Sequence, residues 1–418
     1  MSPVKVLWFS VTPSLYESKI SGHNGGGWIA SLESLVRGSG DVQLAVAFEH
    51  EDGQFKVEDG DVTYYPINVW TSKAKKLKRR INLNIEEELL IPACLRVIED
   101  FKPDVIHVFG SEWCFGLIAQ HINIPLIIHM QGSIPPYFNA RFPVGYNNLD
   151  LIRFNGVNLI RTILDFYNEK NFRLRAKREE KILRSCQYFM GRTEWDRSIV
   201  SLYNPSARYF YCSEALRQVF FEEGGRIWNK QKRSDFIITT TISAPLYKGV
   251  DLVLKTAKLL MDNGFKAFKW RVFGLSNVKF HEWKTKIASA EVNVEVVGTV
   301  SAEKLKDELL NSDVFVHPSY IDNSPNSVCE AQLLGMPVIS TNVGGISSLV
   351  SHRESGLLVP ANDPFLLASY IKTVLCNDEL ATYLGRQGRK EALLRHDGGT
   401  LLNNLINIYK SVLDEKSV

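Results

Sequence analysis

The sequence predicts an α/β protein of two doubly wound, Rossmann-like parallel-sheet domains facing each other across a cleft. Three observations predict it. Short β-rich runs alternate with helix-periodic stretches, the alternation restarts after residue 235, and the residues best suited to chemistry follow the strand-like runs. Alternation of this kind calls for parallel sheets covered by helices, and such sheets bind ligands beyond the carboxyl ends of their strands.

The first series of strands reads VKVLWFS, DVQLAVAF, DVIHVFG and PLIIHMQG, with helical periodicity over 28–37 and 113–122. The second reads FIITTTIS, KWRVFG, VNVEVVG, DVFVHPS and PVIST, with GVDLVLKTAKLLMDNG as its first helix. Between them, residues 205–235 are irregular and aromatic, and end in a polar, charged run. From Asp363 onward the pattern is helical. The expected division is 1–207, 208–379, and 380–418 as helices crossing back to the first domain.

A chain of 418 residues has room for two or three domains with large cores. It is 45% apolar and 23% charged, ordinary for a soluble globular protein, and its net charge of +3 does not by itself imply nucleic acid. No nucleic-acid motif accompanies that charge, so no such partner is expected. Six scattered cysteines, without CxxC or a short metal spacing, suit a reducing compartment. The apolar start, Val4 to Val11, is too short for a secretory h-region with its cleavage site. No run reaches the roughly 18–20 apolar residues that span a bilayer. The expected location is the cytoplasm, with peripheral contact on the inner face of the cell membrane.

Three places could carry chemistry. In VTPSLYESKISGHNGGGWIASLESL, three glycines at 25–27 lie between a strand and a helix, where backbone can approach a ligand and a helix start favours an anion. The loop is neither a Walker sequence nor G-x-G-x-x-G, and it also reads as a plain flexible turn. In YIDNSPNSVCEAQLLGMPVIS, Ser324 reads as an N-cap and Pro325 as the first helical residue. The amides of Asn326, Ser327 and Val328 then face whatever lies beyond the preceding strand, an anion site suited to a diphosphate. Glu330 can accept two hydroxyls, as from a ribose diol, and Asp322 can reach the far end of the same ligand. The same letters also read as a capping box in which Glu330 bonds its own helix start. Third, Lys248 precedes Gly249 at a helix start, placed either to neutralise phosphate or simply to sit in solvent.

HPSYIDNSPNSVCEAQLLGMPVISTNVGG resembles the signature of glycosyltransferase family 4, retaining enzymes of the GT-B fold. The matching residues are Asp322, Glu330, Ala331, Gly335, Pro337, Val338, Ile339, Gly344 and Gly345. Resemblance extends to Lys248–Gly249, the Gly298-Thr299-Val300 turn, Gly356–Pro360 and the N-terminal glycine loop with Gly26 and Gly27. It covers nearly the whole chain, most densely 236–400. GRTEWDR (191–197) and YCSEALR (211–217) further resemble members encoded for bacterial surface polysaccharides.

The resemblance implies a nucleotide-sugar donor (a UDP- or GDP-sugar) and a glycan or lipid-linked acceptor. It implies Glu330 on the ribose, Lys248 on the diphosphate, residues 326–328 on phosphate or sugar, Asp322 on the transferred sugar, and residues 298–300 at the base. Three positions depart from it. Asp322 stands where the family has Glu, and Ser243 where it commonly has Arg, leaving the diphosphate to Lys248, the helix start and Arg192. Gln131 stands where many members have His near the reacting sugar. Gln131 cannot be a general base, which is tolerable if the leaving phosphate takes the acceptor proton. His129, two residues earlier on the same strand face, is a catalytic candidate, although a histidine so placed is more often a satisfied strand residue.

No metal or other cofactor is expected. The sole D-x-D, Asp59-Gly60-Asp61, looks like a hairpin turn, and helix dipoles and cations supply the electrostatic stabilisation that a metal would. Two basic stretches bear on the acceptor. KAKKLKRR at 73–80 has six basic residues in eight, and 153–184 has nine basic and four acidic residues among apolar ones. Both read as surfaces for anionic lipid or as solvated helix faces. The expected activity is retaining sugar transfer. A nucleotide-sugar epimerase or hydrolase, and a degenerate nucleotide-binding regulator, are the alternatives.

Overall fold

The computed structural model describes residues 3–16, 27–51, 54–221 and 226–416. The chain forms two compact units. One comprises Met1–Phe138, Ile163–Ala215 and His396–Val418, the other Asn139–Thr162 and Leu216–Arg395.

The first unit holds an eight-stranded sheet of order β3-β4-β2-β1-β5-β6-β7-β8. Its strands are β1 Val4–Ser10, β2 Val42–Glu49, β3 Val57–Asp59, β4 Val62–Ile67, β5 Val105–Phe109, β6 Leu126–His129, β7 Tyr188–Gly191 and β8 Arg208–Tyr211. All neighbours are parallel except β3 and β4. Those two form the hairpin expected around Asp59-Gly60-Asp61: Gly60 takes φ +63°, and Asp59 accepts from Arg37. Strand β1 shows why its sequence is uninterruptedly apolar. Leu7 and Phe9 enter a core on one face of the sheet, Val6 and Trp8 a second core on the other.

The helix Gly398–Lys416 lies on that second face, burying Leu401, Leu405, Ile408, Tyr409 and Val412. Its Tyr409 hydroxyl accepts from Trp8 Nε1 at 3.0 Å and lies 2.7 Å from His107 Nδ1.

The second unit holds a six-stranded, wholly parallel sheet of order β11-β10-β9-β12-β13-β14. Its strands are β9 Phe236–Thr241, β10 Phe268–Phe273, β11 Val294–Gly298, β12 Val314–His317, β13 Val338–Thr341 and β14 Leu357–Val359. One continuous core surrounds it, with Trp270, Phe273 and Phe315 fully buried.

The unit borders differ from the expected 207 and 379 for local reasons. Cys212 and Ala215 are buried in the first unit's core. The helix Asp378–Arg395 stays with the second unit because it crosses the turn after Asn326–Leu333 at backbone distance: a Cβ on Gly385 would lie 2.0 Å from the Gly335 carbonyl. Of the C-terminal helices only Gly398–Lys416 belongs to the first unit. The region 113–122 forms a 3-10 helix, Cys114–His121, rather than an α-helix. Among the described residues no helix is long and apolar enough to cross a membrane.

Candidate functional site

In the second unit, three chain segments converge beyond the carboxyl ends of β9, β12 and β13. The 3-10 turn Leu246–Lys248 leads through Gly249 (φ +85°) into the helix Val250–Asp262. A Cβ on Gly249 would lie 2.1 Å from the Pro318 carbonyl, so only glycine lets this turn press on the loop after β12. Tyr320 ties the two further: its amide donates to Tyr247 O at 2.7 Å and its hydroxyl to Asp251 at 2.8 Å. The Gly344-Gly345 pair closes the third side. Gly345 N donates to Asp322 O at 3.0 Å, and a Cβ on Gly344 (φ +52°) would sit 1.8 Å from that same oxygen.

This packing delivers Asp322 to Lys248. Lys248 Nζ lies 2.6 Å from Asp322 Oδ2, while Oδ1 accepts the Asn323 amide at 3.1 Å. His317 Nε2 is 3.1 Å from Oδ2, off the line of a good hydrogen bond. Burial alone would raise the Asp322 pKa; Lys248 and His317 outweigh it and hold the carboxyl well below the ordinary range.

The helix after the loop begins one residue later than the sequence suggested. Pro325 occupies the cap position, where its side chain makes no cap bond, and Asn326 is the first helical residue. Ser324 therefore precedes the cap position, and Ser327, the expected start of a capping box, lies inside the helix. Val328 also leaves the expected amide set, since its N–H donates back to Pro325 O at 3.0 Å and its side chain is fully buried. Asn326 and Ser327, both partly exposed, remain at the helix start. Glu330, only 2% exposed, is gripped by Arg217, whose Nε and Nη2 each lie 2.8 Å from one carboxylate oxygen. Sequence reasoning missed this clamp. The two residues stand 113 positions apart, and no local pattern links them.

Gly298 closes β11 with φ +91° and open space where a Cβ would be. Thr299 beside it is exposed, whereas Val300 packs against the core. Ser243 is exposed just after β9.

The first unit treats its candidates differently. Gly26 lies outside the described residues; Gly27 (φ +63°) starts the helix Gly27–Val36 in open space. His129 is fully buried, 4.9 Å from the Trp28 ring and stacked 5.3 Å from His107. Burial, then His107 and Arg192, hold it neutral with its pKa well below the usual value. A catalyst must reach substrate, so His129 drops from the catalytic set as a core residue. Gln131, two residues on, is partly exposed.

Arg192, expected to help with diphosphate, is 3% exposed, pairs with Glu214 at 3.3 Å and lies 4.9 Å from the Trp28 ring. Its charge is committed inside the unit. A carboxyl pair beside these strands went unnoticed in the sequence. Glu112 fits between Gly110 and Gly132, where a Cβ would come within 2.4 and 3.1 Å of its oxygens. Glu179 accepts from Ser111 Oγ and Ile134 N, each at 2.6 Å. Burial and the neighbouring Glu112 push Glu179 up to about 8.

Residues 226–391 match the family model described as glycosyl transferases group 1. The second unit is thus similar to a group 1 glycosyl transferase. The putative colanic acid biosynthesis glycosyltransferase WcaL of Escherichia coli is 30% identical over 164 residues, 36% of this chain and 38% of that one. The 2-deoxystreptamine N-acetyl-D-glucosaminyltransferase of Niallia circulans is 28% identical over 130 residues, 31% of this chain and 33% of that one. The chain spans about a third of the length of the curated relatives it matches.

Among solved structures, sucrose-phosphate synthase of Thermosynechococcus elongatus aligns with TM-score 0.70 at 15% identity, covering 99% of this chain and 100% of that one. Anabaena HepE, in complex with UDP and glucose, aligns with TM-score 0.64 at 11% identity, covering 98% and 100%. These likenesses establish the fold: two parallel-sheet α/β domains of the GT-B glycosyltransferase type.

Proposed function

We propose that the chain is a retaining glycosyltransferase of the family 4 type. It would move a sugar from a nucleotide-sugar to a glycan or lipid-linked acceptor in bacterial surface-polysaccharide synthesis. The observation that carries this reading is the pairing of two buried acids with two cations on either side of the helix start at Asn326: Asp322 with Lys248, Glu330 with Arg217. The named relatives and the UDP-bound structural neighbour support it.

The residues suit the parts of a nucleotide-sugar in order. A carboxylate has about four lone-pair sites. Glu330, held by Arg217 at both oxygens, would accept from a ribose diol. The amides of Asn326 and Ser327 and the ammonium of Lys248 would receive the diphosphate, and Gly298 and Thr299 would meet the base. As Lys248 turns toward phosphate, Asp322 would be released to accept from the transferred sugar. Charge developing on the leaving diphosphate is stabilised by these fixed donors, whose electrostatic contribution needs no reorganisation. The acceptor hydroxyl attacks the same face, and its proton passes to a leaving phosphate oxygen, which requires no base from the first unit.

The first unit would take the acceptor. Peripheral membrane contact through 73–80 and 153–184 belongs to the same reading. Leu77, Leu159 and Ile160 there are 58%, 72% and 75% exposed.

The test is thermal unfolding with UDP, GDP, ADP and CMP on the wild type and Glu330→Ala. A nucleotide at a hundredfold excess over its dissociation constant stabilises by about 2.7 kcal/mol. One nucleotide should shift the wild type and not the variant; no shift with any of the four sinks the donor site.

A further inference from the structure

We propose that the first unit carries a binding site for an acidic saccharide, in the cavity between the ends of β2 and β4 and the helix Lys73–Ile81. This deepens, and rests on, the reading that the first unit takes a glycan acceptor. The cavity measures about 860 Å3, within the roughly 300–1,000 Å3 usual for small-molecule sites. It opens at Glu49, the last residue of β2, and Asn68, just past the end of β4. Those carboxyl strand ends are where parallel α/β sheets bind ligands.

Its wall is fixed. Trp70 Nε1 donates to Glu49 Oε2 at 2.5 Å, and Arg79 holds both Glu49 oxygens at 2.8 and 3.0 Å while lying 4.5 Å from the Trp70 ring. Arg79 also donates to Glu86 at 2.7 Å, and Glu86 takes the buried Arg178 at 2.8 Å. An alternating chain of charges running into the protein stabilises less than apolar packing of the same volume would. What it does supply is an indole and a guanidinium locked at the cavity edge. An indole beside an amide and carboxylate oxygens suits a pyranose, whose C–H face packs on the ring while its hydroxyls find polar partners.

Charge then selects the saccharide. Arg79 neutralises Glu49, and Lys76 lies 2.5 Å from Glu51. Arg80 also lines the cavity, makes no ion pair among the described residues, and stands on a helix of six basic and no acidic residues, KAKKLKRRI. A cation left over at the rim of a sugar-sized cavity calls for a carboxylate or phosphate on the ligand, which a guanidinium grips in a planar fork.

Titration calorimetry with a hyaluronan tetrasaccharide, which carries glucuronates, and with neutral chitotetraose tests this on the full chain. The acidic probe should bind at least about tenfold tighter. Arg80→Gln, an exposed change that should leave the unfolding midpoint unmoved, should abolish the preference, and Trp70→Ala should weaken both probes. Equal binding, no saturable binding of the acidic probe, or a preference that survives Arg80→Gln overturns the proposal. So does Arg80→Gln weakening attachment to phosphatidylglycerol vesicles with no saccharide preference present, which would assign this face to lipid. UDP-induced stabilisation, followed on the same proteins, separates the two readings. A UDP shift without acidic preference sinks this inference alone, and acidic preference without any nucleotide shift sinks the donor site alone.

Discussion

Lys248 Nζ and Asp322 Oδ2, 74 residues apart in sequence, lie 2.6 Å apart in the structure. The two side chains expected on the diphosphate and on the transferred sugar of a donor are thus each other's partner before any ligand arrives. Asp322 is 6% exposed, so removing the lysine strands a buried carboxylate. Breaking a buried pair costs about 3–5 kcal/mol, and the low end applies because Lys248 is one-fifth exposed. Lys248→Ala should therefore lose about 3 kcal/mol in urea unfolding, and adding Asp322→Asn should restore part of it. A single-variant loss under about 0.5 kcal/mol would show the pair to be incidental.

The same pair sets a pH dependence. Asp322 is ionised more readily folded than unfolded, so the unfolded chain binds the extra proton in acid. Its contribution is fully present above the ordinary carboxylate range, near pH 4, and is lost as pH falls below that toward the depressed folded value. Unfolding midpoints compared between pH 7 and pH 3 should fall less steeply in Asp322→Asn than in the wild type. Parallel slopes would contradict the depressed pKa.

Arg217 holds Glu330 with two parallel bonds that a lysine cannot reproduce. Arg217→Lys should behave nearly as badly as Arg217→Ala, with destabilisation of about 2–4 kcal/mol and a weakened nucleotide shift. Full rescue by lysine, in stability and in nucleotide response together, would mean that the geometry of the clamp is unimportant.

Two glycines at positive φ make a matched comparison. Gly298 (φ +91°) has open space where a Cβ would go, whereas at Gly344 (φ +52°) the Cβ would collide with Asp322 O at 1.8 Å. Gly298→Ala should cost only the backbone strain, about 1–2 kcal/mol. Gly344→Ala should cost clearly more and also displace Asp322, so that nucleotide stabilisation disappears. Equal melting losses would remove the steric argument.

Much of the fold was legible because burial on both faces of a parallel sheet writes continuous apolar runs, as at VKVLWFS and DVFVHPS. The loop from Asp322 to Glu330 was legible for a related reason: its close backbone approaches need glycine at 249 and 344, and those letters stand in the chain. What stayed hidden depends on tertiary partners. Nothing local separates a reachable His129 from one sealed between Trp28 and His107, and nothing ties Arg192 to Glu214 or Arg217 to Glu330. The first turn of Asn326–Leu333 misled by one residue, since Ser-Pro reads as cap and first helical position when in fact Pro325 itself occupies the cap position.

Glu179 offers the opposite sign to Asp322. Burial and Glu112 raise its pKa to about 8, so the folded chain keeps a proton that the unfolded chain releases near pH 4.3. Stability therefore falls as pH rises from about 4.3 to about 8, and levels off above that. A glutamine is neutral throughout, and its carbonyl oxygen can still accept from Ser111 or Ile134, which lie 2.6 Å from the present carboxylate. Glu179→Gln should match the wild type near pH 4, exceed it by a margin that grows up to about pH 8, and then run parallel. A variant that is less stable than wild type at pH 8 would show that Glu179 is held as a carboxylate after all, its hydrogen bonds outweighing its burial.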